Sequence, residues 1–394
     1  MTTSTYDDAP YQGLTILDMS QGVAGPYCAT MLGLQGATVI KVEPPGGDWI
    51  RVMGGGEAGM TPLAVVSNLG KRSLCIDARK PEGRAAIERL AARADVVVEN
   101  FRPGVMAKLG LDEPSLRANN PALVYLSITG FGDTGPWAAK AGTDSVLQAY
   151  TGMAMLNREA SGRPKRMGML VPDTIAALYA VQAVAAALFA RSRTGRGRHV
   201  KVSLAECCAA FQAAPIFEDA LFTGRYQPPT AVPSGVFKTA DGFITLLVLR
   251  QDMWERLCAA LGHAEWQVEP RFADNTARGQ HAAEINALIA DVLASHSSAH
   301  WITTLESADV LCAEVQDYAQ LRAHPQMQHM GYFGALEQAP YQPLPVPYLP
   351  GTPRDQVIRP APRTGQHTRE VLAELGYDAG ETAALENAGI AIQG

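Results

Sequence analysis

The 394-residue sequence has little charge and no excess of positive charge. Charged residues make up 18% of it, with 33 Lys+Arg against 39 Asp+Glu and a formal net charge of −6. Proteins that bind nucleic acid usually carry a basic patch or stripe, so we expect no nucleic-acid partner. The hydrophobic fraction of 47% is enough to build sizeable cores and excludes wholesale disorder. A chain of this length predicts roughly two domains.

Cysteine is also scarce, with six residues in the whole chain. Cys207 and Cys208 are adjacent and the others are scattered, a spacing that fits neither a disulfide framework nor a common zinc motif. We expect small buried thiols in a reducing cytosol. The eight His are dispersed, without an H-E-x-x-H motif or a Cys at ligand spacing, so the sequence predicts no metal site.

Membrane spans and targeting signals are missing as well. No stretch of the sequence approaches the ~18 consecutive apolar residues needed to cross a bilayer. The first residues, MTTSTYDDAPYQG, lack the basic and apolar segments of a signal sequence. We therefore expect a soluble, cytoplasmic protein without a membrane partner.

The common phosphate-loop and hydrolase motifs are absent too. Neither G-x-x-x-x-G-K-[ST] nor G-x-G-x-x-G follows a strand-like run, and no G-x-S-x-G elbow supplies a nucleophilic serine. Residues 22–26 (GVAGP) do follow the first strand-like run and precede the first helix-like one. Backbone N–H groups at such a turn can bind an anion or approach a ligand, although an ordinary strand-to-helix turn is the simpler interpretation.

The first 130 residues alternate between strand-like and helix-like stretches, and one more strand-like run follows the longest helical stretch. The strand-like runs are apolar on both faces, which is typical of parallel strands covered on both sides by helices. The pattern predicts an α/β fold whose large domain is doubly wound and Rossmann-like, with ligands bound at the carboxyl ends of the strands. The six predicted strands cover residues 14–19, 38–42, 73–77, 95–99, 122–129 and 199–203.

The pattern changes beyond residue 222. A hairpin is predicted at 235–249, turning at Asp241-Gly242, and residues 341–362 carry many prolines and predict an extended strap. Amphipathic helices are predicted at 252–261, 282–295, 300–308, 368–375 and 381–388. The predicted large domain comprises 1–204 and 335–394, the small α+β domain 225–320, and the linkers 205–224 and 321–334.

Asp173 stands out by its position. It follows a nearly uncharged lead-in and begins the longest helical stretch, predicted over 173–191. Aspartate is a favoured N-cap, a role that explains the residue completely and contributes about 0.5–2 kcal/mol. The same position places a carboxylate at a helix N-terminus beside small alanines, where it can act as a nucleophile toward an acyl group. From the residues alone both interpretations stay open, and the N-cap is the simpler one.

The most specific signal is a set of segments spread over nearly the whole chain, from Gly13 to Tyr377. They read LDMSQGVAGPYCATMLGLQGATVIKVEPPGGD, GKRSLCIDARKPEG, ADVVVENFRPG, SITGFGDTGPW, VPDTIAALYA, RTGRGRHVKVSLAE, EPRFADN and GQHTREVLAELGY. Taken in order, they resemble class III CoA-transferases, the family of formyl-CoA and carnitine CoA-transferases. The resemblance implies an interlocked homodimer, in which two ring-like chains thread each other, and it places Asp173 where the family has its catalytic aspartate.

The implied reaction moves CoA from an acyl-CoA donor to a free carboxylic acid. The Asp173 carboxylate attacks the thioester to give a mixed anhydride and CoA thiolate, and the thiolate then attacks the aspartyl carbonyl to give an aspartyl-CoA thioester. An acceptor acid reverses the sequence. The anhydride conserves the activation of the thioester, so ATP is not needed, but water has to be excluded and each oxyanion needs N–H donors.

The resemblance also implies which positions bind CoA, which is the substrate and the expected cofactor. The matching positions are Val23, Ala24, Arg79, Asn100, Phe101, Arg102 and Lys108. The three cations among them suit phosphate, because CoA carries about four negative charges that an acidic protein has to offset locally. Second-rank phosphate candidates are Lys41, Lys71 and Arg72. Asp144 matches an acidic position near the catalytic aspartate and is expected to orient the acyl end or the pantetheine.

The sequence departs from two branches of the family. Formyl-CoA transferases have Gln where Val23 stands, and here the nearest Gln is Gln21, two residues earlier. Their glycine-rich loop has no counterpart at 249–252. Both differences argue against formyl and oxalyl transfer. The α-methylacyl-CoA racemases carry a G-H-D segment that here reads Gly142-Thr143-Asp144. Without the His one proton-transfer partner is lost, which makes an acyl-CoA racemase or epimerase the weaker alternative. A non-catalytic acyl-CoA-binding protein is the third.

Arg250 is a candidate for substrate specificity. It follows the predicted hairpin and can hold the distal carboxylate of a dicarboxylic acyl group in a bidentate pair. The simpler interpretation is a surface arginine near the start of a helix.

Overall fold

The computed structural model describes residues 8–159, 161–223 and 230–394. Its contacts divide the chain into two compact units, one comprising Met1–Ala213 and Gly331–Gly394 and the other Ala214–Met330. Both divisions fall inside the predicted linkers, whereas the predicted start of the small domain at 225 lies outside the described residues. The domain boundaries themselves stay a prediction.

The first unit is built around a seven-stranded sheet. Strands in the described residues are β1 (Thr15–Asp18), β2 (Thr38–Glu43), β3 (Arg72–Ile76), β4 (Val96–Glu99), β5 (Val124–Thr129), β6 (His199–Ser203), β7 (Ser234–Lys238), β8 (Phe243–Leu247), β9 (Leu311–Glu314), β10 (Phe333–Leu336), β11 (Leu344–Pro347) and β12 (Ala391–Ile392). The sheet has the order β12-β3-β2-β1-β4-β5-β6. β1 to β6 are parallel and β12 is antiparallel to β3, so the six predicted strands and their parallel pairing are confirmed.

Helices cover both faces of this sheet. The α-helices of the described residues are α1 (Ala24–Leu34), α2 (Pro62–Val66), α3 (Pro81–Ala91), α4 (Val105–Leu109), α5 (Glu113–Asn119), α6 (Asp144–Tyr150), α7 (Met153–Leu156), α8 (Val171–Thr194), α9 (Leu204–Phe211), α10 (Ala213–Phe222), α11 (Gln251–Ala260), α12 (Asn275–Gln280), α13 (Ala282–Leu293), α14 (Ser298–Ser307), α15 (Tyr318–Ala323), α16 (Pro325–Met330), α17 (Thr368–Glu374) and α18 (Ala379–Asn387). Because successive strand residues point to opposite faces, Val96 and Val98 pack with α1 and α8, whereas Val97 packs with α3 and α17. The sheet is therefore apolar on both sides, as a doubly wound fold requires.

The strand order reverses between β1 and β4, which are neighbours in the sheet. The loops that follow these two strands are joined by a pair of hydrogen bonds. The Gln21 N–H donates to Asn100 Oδ1 at 2.7 Å, and Asn100 Nδ2 donates to the Gln21 carbonyl at 2.6 Å. Crevices at such a switch point are where open α/β sheets bind their ligands.

The second unit has its own sheet and core. β7, β8 and β9 form an antiparallel sheet, and the register pairs Lys238 with Phe243, which confirms the predicted hairpin around Asp241-Gly242. Trp254 on α11 and Ile289 on α13 are fully buried in its apolar cluster.

One helix of the first unit bears on the expected absence of membrane spans. Helix α8 is 24 residues long and, by length and composition alone, apolar enough to cross a membrane. It contains no unbroken run of ~18 apolar residues, because polar residues such as Gln182 interrupt it. In this fold Ala176, Ala180 and Val184 of α8 are buried in the core cluster between the helix and the sheet. Such burial is also typical of the central helix of a globular core.

The cysteines and the proline-rich strap agree in part with expectation. All six cysteines are free, and five of them are buried, as expected for small core thiols. The strap predicted over 341–362 contains β11, which pairs antiparallel with β10. The prediction of an extended segment is therefore right, but its strand partner was not foreseen.

Candidate active site

A cavity of about 290 Å³ opens at the switch point of the sheet. It is formed by the turn after β1, the loop after β4, the end of β5, and the starts of α6 and α8. Eight of the predicted site residues line it: Gln21, Val23, Ala24, Asn100, Phe101, Arg102, Asp144 and Asp173. Segments more than 100 residues apart in sequence thus meet at one edge of the sheet.

Asp173 lies in the first turn of α8 and is not its N-cap. The helix begins at Val171, its N-cap is Leu170, and no side chain caps it. The N-cap interpretation is therefore wrong, because Pro172 is tolerated in a first helical turn and lets the helix start two residues earlier. The carboxyl group of Asp173 faces the cavity, and its backbone N–H donates to Asp144 Oδ2 at 3.4 Å.

The two carboxyl groups of the cavity sit in an unfavourable place for charge. Burial, together with the nearby charge of Asp144, raises the pKa of Asp173 to about 7. Burial also raises the pKa of Asp144, against the opposing effect of the hydrogen bond from Gln148. The dipole at the start of α8 favours a negative charge, but desolvation outweighs it here. A carboxyl group that titrates near neutral pH in a cavity is typical of functional sites.

The turn after β1 rests on a buried ionic network. The Gly22 N–H donates to Asp48 Oδ1 at 3.0 Å, and Asp48 Oδ2 accepts from Lys41 Nζ at 3.0 Å. Lys71 Nζ donates to Asp18 Oδ2 at 2.7 Å. All four of these charged side chains are buried. Through the Gly22–Asp48 hydrogen bond, this network fixes the backbone of the turn.

The structure does not support the second-rank phosphate candidates Lys41, Lys71 and Arg72. Lys41 and Lys71 are fully buried and committed to Asp18 and Asp48, so they cannot reach a bound nucleotide. Arg72 lies at the start of β3, at the opposite edge from the carboxyl ends of the strands, and pairs with Glu374 at 2.8 Å. The sequence shows the cations but not which of them have buried partners.

Other residues of the cavity were not foreseen. The ring of Trp49 lines it and lies against Gly22, where a Cβ would clash with the ring. Gly22 also has a φ of +78°, so glycine is required there twice over. Gly130 and Gly142 meet at their Cα atoms, so a Cβ on either would lie 2.6–2.7 Å from the other backbone. The position of Gly22 and Gly130 just after predicted strands is the sequence signal that indicates such close backbone contacts.

Two predicted phosphate partners do not line the cavity. Arg79 is exposed after β3 and pairs with Asp77 at 2.8 Å, and Lys108 is exposed on α4. Arg102 is exposed as well but lines the cavity. Arg250 belongs to the second unit, where it precedes α11 and pairs with Asp252 at 3.0 Å. The binding roles of these arginines and of Lys108 stay predictions.

A second cavity of about 480 Å³ lies beside the first and shares Arg102 with it. In it Ser127 Oγ lies 2.9 Å from His199 Nε2, and His199 Nδ1 lies 3.8 Å from Glu113. Glu99 also lines this cavity and is buried, and burial raises its pKa against the opposing effect of Ser127.

No group of three or more His, Cys, Asp or Glu that could hold a metal ion occurs in the part of the chain that the structure describes. The carboxylates of the cavity, Asp144 and Asp173, have no third ligand beside them. That the reaction proceeds without a metal stays a prediction.

Comparison with known proteins identifies the family. A model of CoA-transferase family III matches residues 11–368. The chain is 35% identical over 392 residues to the succinate–glutarate CoA-transferase of Agrobacterium fabrum, covering 95% of this chain and 98% of that protein. It is 33% identical over 380 residues to the succinyl-CoA–D-citramalate CoA-transferase of Chloroflexus aurantiacus, covering 93% and 94%.

Solved structures agree with this family match. A CAIB/BAIF family protein from Brucella suis matches with a TM-score of 0.83 at 32% identity, covering 93% of this chain and 99% of that one. The match includes the seven-stranded, mostly parallel sheet described above. The resemblance drawn from the sequence segments is confirmed. The chain belongs to CoA-transferase family III and is a CoA-transferase.

Proposed function

We propose that this enzyme transfers CoA from an acyl-CoA donor to a free carboxylic acid, with dicarboxylic acids as the substrate class, and that Asp173 carries the acyl group and then CoA. The observation that supports this most directly is the unpaired Asp173 carboxyl group in the cavity at the switch point. Relatives are named for transfer between succinate and glutarate and from succinyl-CoA to D-citramalate, all of them dicarboxylic acids.

The reaction proceeds in two covalent stages. The Asp173 carboxylate attacks the thioester carbonyl of the donor and releases CoA thiolate, which leaves a mixed anhydride on the enzyme. The thiolate then attacks the aspartyl carbonyl, the donor acid leaves, and an aspartyl-CoA thioester remains. The acceptor carboxylate attacks this thioester, and CoA thiolate finally takes the acceptor acyl group from the new anhydride. Every step exchanges one acyl bond for another, so no outside energy source is needed.

Each attack creates an oxyanion that needs fixed donors. The first N–H groups of a helix have no partner within the helix, and Ala24 at the start of α1 lines the cavity. The network below the turn fixes this backbone through Gly22 and Asp48. The N–H groups that begin α1 therefore serve as the oxyanion donors.

The CoA molecule extends from Asp173 toward the surface. Asn100 and Phe101 line the cavity beside the turn after β1 and contact the pantetheine arm. Arg102, Arg79 and Lys108, which are all exposed, bind the phosphates of the nucleotide. Asp144 and Gln21 lie closer to the acyl end. We also propose an interlocked homodimer, as the family resemblance implies, and a cytoplasmic location, as the cysteine pattern implies.

Trapping of the covalent intermediate tests this proposal. The enzyme is incubated with succinyl-CoA, then with borohydride or hydroxylamine, and the modified peptide is mapped by mass spectrometry. We expect reduction to an alcohol, or hydroxamate formation, at Asp173 and not at Asp144. An enzyme that turns over succinyl-CoA without any label on Asp173 would contradict the proposal. Exchange of the α-proton of the substrate with D₂O, without label, would support the racemase alternative.

A further inference from the structure

Gln148 is a buried polar side chain that contacts the active-site cavity only through other residues. It lies on α6, one turn after Asp144, and is 1% exposed. Its Nε2 donates to Asp144 Oδ1 at 2.7 Å and to the Met169 carbonyl at 3.1 Å, and its Oε1 accepts from the Met167 N–H at 2.8 Å. The orientation of the amide is fixed, because two of these partners only accept and the third only donates.

These bonds tie together the two elements that carry the carboxyl groups. Asp144 begins α6, and residues Met167 and Met169 immediately precede α8, which carries Asp173. One amide therefore sets the separation between the start of α6 and the start of α8. The Asp144 carboxylate is left with one oxygen toward Gln148 and the other toward the Asp173 N–H.

We propose that Gln148 is a positioning residue: its amide keeps Asp144 charged and fixed beside the Asp173 backbone, and thereby sets the proton affinity of Asp173. The inference rests on the proposed role of Asp173 as the nucleophile. A buried carboxylate that loses its strongest donor takes up a proton more easily, because the weaker contacts that remain offset less of its desolvation. A neutral Asp144 no longer repels the negative charge on Asp173, which then ionises more easily.

The other charged groups near the pair do not replace this amide. Arg166 contacts Ser145 and acts on Asp144 only as a distant charge, after burial and the Gln148 bond. Cys208 on the adjacent helix α9 has a pKa raised to about 11 by burial, so it stays neutral at the pH of the experiment. Arg102 lines the same cavity but is exposed to solvent, which screens its charge. Gln148 is thus the strongest donor to Asp144 among the described side chains.

The test measures the rate of Asp173 acylation by succinyl-CoA against pH, in single turnover, for the parent enzyme and for Gln148→Met. In the parent, the rate falls as pH drops through about 7. In Gln148→Met, we expect this fall to move about one pH unit lower. Asp144→Asn removes the same charge directly and is expected to move it in the same direction. A Gln148→Met profile that keeps the midpoint of the parent, whatever its height, overturns the proposal.

Two further variants separate positioning from a general loss of packing. In Gln148→Glu the new carboxyl group shares one proton with Asp144, which keeps a hydrogen bond and one negative charge beside Asp173, so we expect its midpoint to stay close to that of the parent. Gln212→Met is a matched control, because Gln212 is also buried but bonds only backbone carbonyls. We expect its midpoint to stay unchanged; a shift equal to that of Gln148→Met counts against the proposal. Failure of the proposed function is seen separately, as a parent enzyme that never labels Asp173.

Discussion

Two clusters of buried carboxylates lie close together in this enzyme and behave in opposite ways. Under the turn after β1, burial alone would raise the pKa of Asp18, but the charges of Lys41 and Lys71 outweigh it and lower the pKa. In the cavity above, Asp173 has a second carboxylate for a neighbour, and its pKa rises to about 7. Burial is common to both clusters, but of the two only the first contains ion pairs with lysine among the described residues. A buried acid in an ion pair serves the fold, and one without an ion pair is available for chemistry.

The largest expected effect comes from Asp173→Asn, which removes the unpaired acid. The proposed acyl acceptor is lost, so CoA transfer falls by at least about 10³-fold, a loss typical of covalent nucleophiles.

The thermal stability of the same variant is expected to rise at alkaline pH. A carboxyl whose folded pKa is raised costs stability as pH rises from its ordinary range through about 7, so the variant unfolds at a higher temperature than the parent at pH 8. Thermal unfolding at pH 8 that shows a lower Tm for the variant contradicts this reading.

The paired cluster is expected to respond in the opposite sense. Lys41→Met removes the cation that contacts Asp48 and leaves a buried carboxylate without its partner. Breaking a buried pair in this way costs about 3–5 kcal/mol. At neutral pH we expect a lower free energy of unfolding, measured by denaturant unfolding. Adding Asp48→Asn is expected to recover part of the loss. Equal stability of the single and double variants would show that the network is not coupled.

A smaller effect is expected in the pH dependence of acylation, which distinguishes the two clusters. The proposed acylation requires ionised Asp173, so below pH 7 its rate falls about tenfold per pH unit, whereas the lowered pKa of Asp18 keeps that carboxylate charged there. The single-turnover rate between pH 5 and 8 measures this. A rate that is independent of pH over that range, with chemistry limiting, contradicts the raised pKa.

The smallest expected effect concerns an exposed cation. Arg79→Ala removes one proposed phosphate partner, and because Arg79 is exposed and already paired with Asp77, KM for acyl-CoA rises by no more than about fivefold while kcat stays unchanged. Raised salt weakens the difference between variant and parent. Steady-state kinetics at two salt concentrations measure both quantities. A fall in kcat without a change in KM would remove Arg79 from the binding site.

Much of the fold and of the candidate site was predictable from the sequence, and the errors in the prediction have a physical cause. Runs of apolar residues gave the six parallel strands, and the position of Asp173 before a long helix marked it as a candidate. The helix start was misplaced by two residues because Pro172 can sit in a first turn. Lys41 and Lys71 were taken for ligand-binding cations because a sequence shows charge but not burial.

The features missed altogether depend on contacts between distant segments. Gln148 and Trp49 carry no motif, and their roles follow only from what α6, α8 and the turn after β1 bring near them. The short strand β12 was also missed, since two residues give no periodic signal. Local pattern therefore predicted the elements, and the family resemblance favoured Asp173 as the candidate nucleophile, while the contacts that tune Asp173 required the fold.

The place of β12 has a consequence for how the enzyme is made. It pairs with β3 from the far end of the chain, and Thr368 accepts a hydrogen bond from the Cys75 N–H across 293 residues. During synthesis the ribosome delivers β3 long before its outer neighbour, so this sheet edge stays open while the whole second unit emerges. The nascent protein is thus exposed to edge-to-edge aggregation throughout this interval, and closure of the sheet has to wait for residues 391–392.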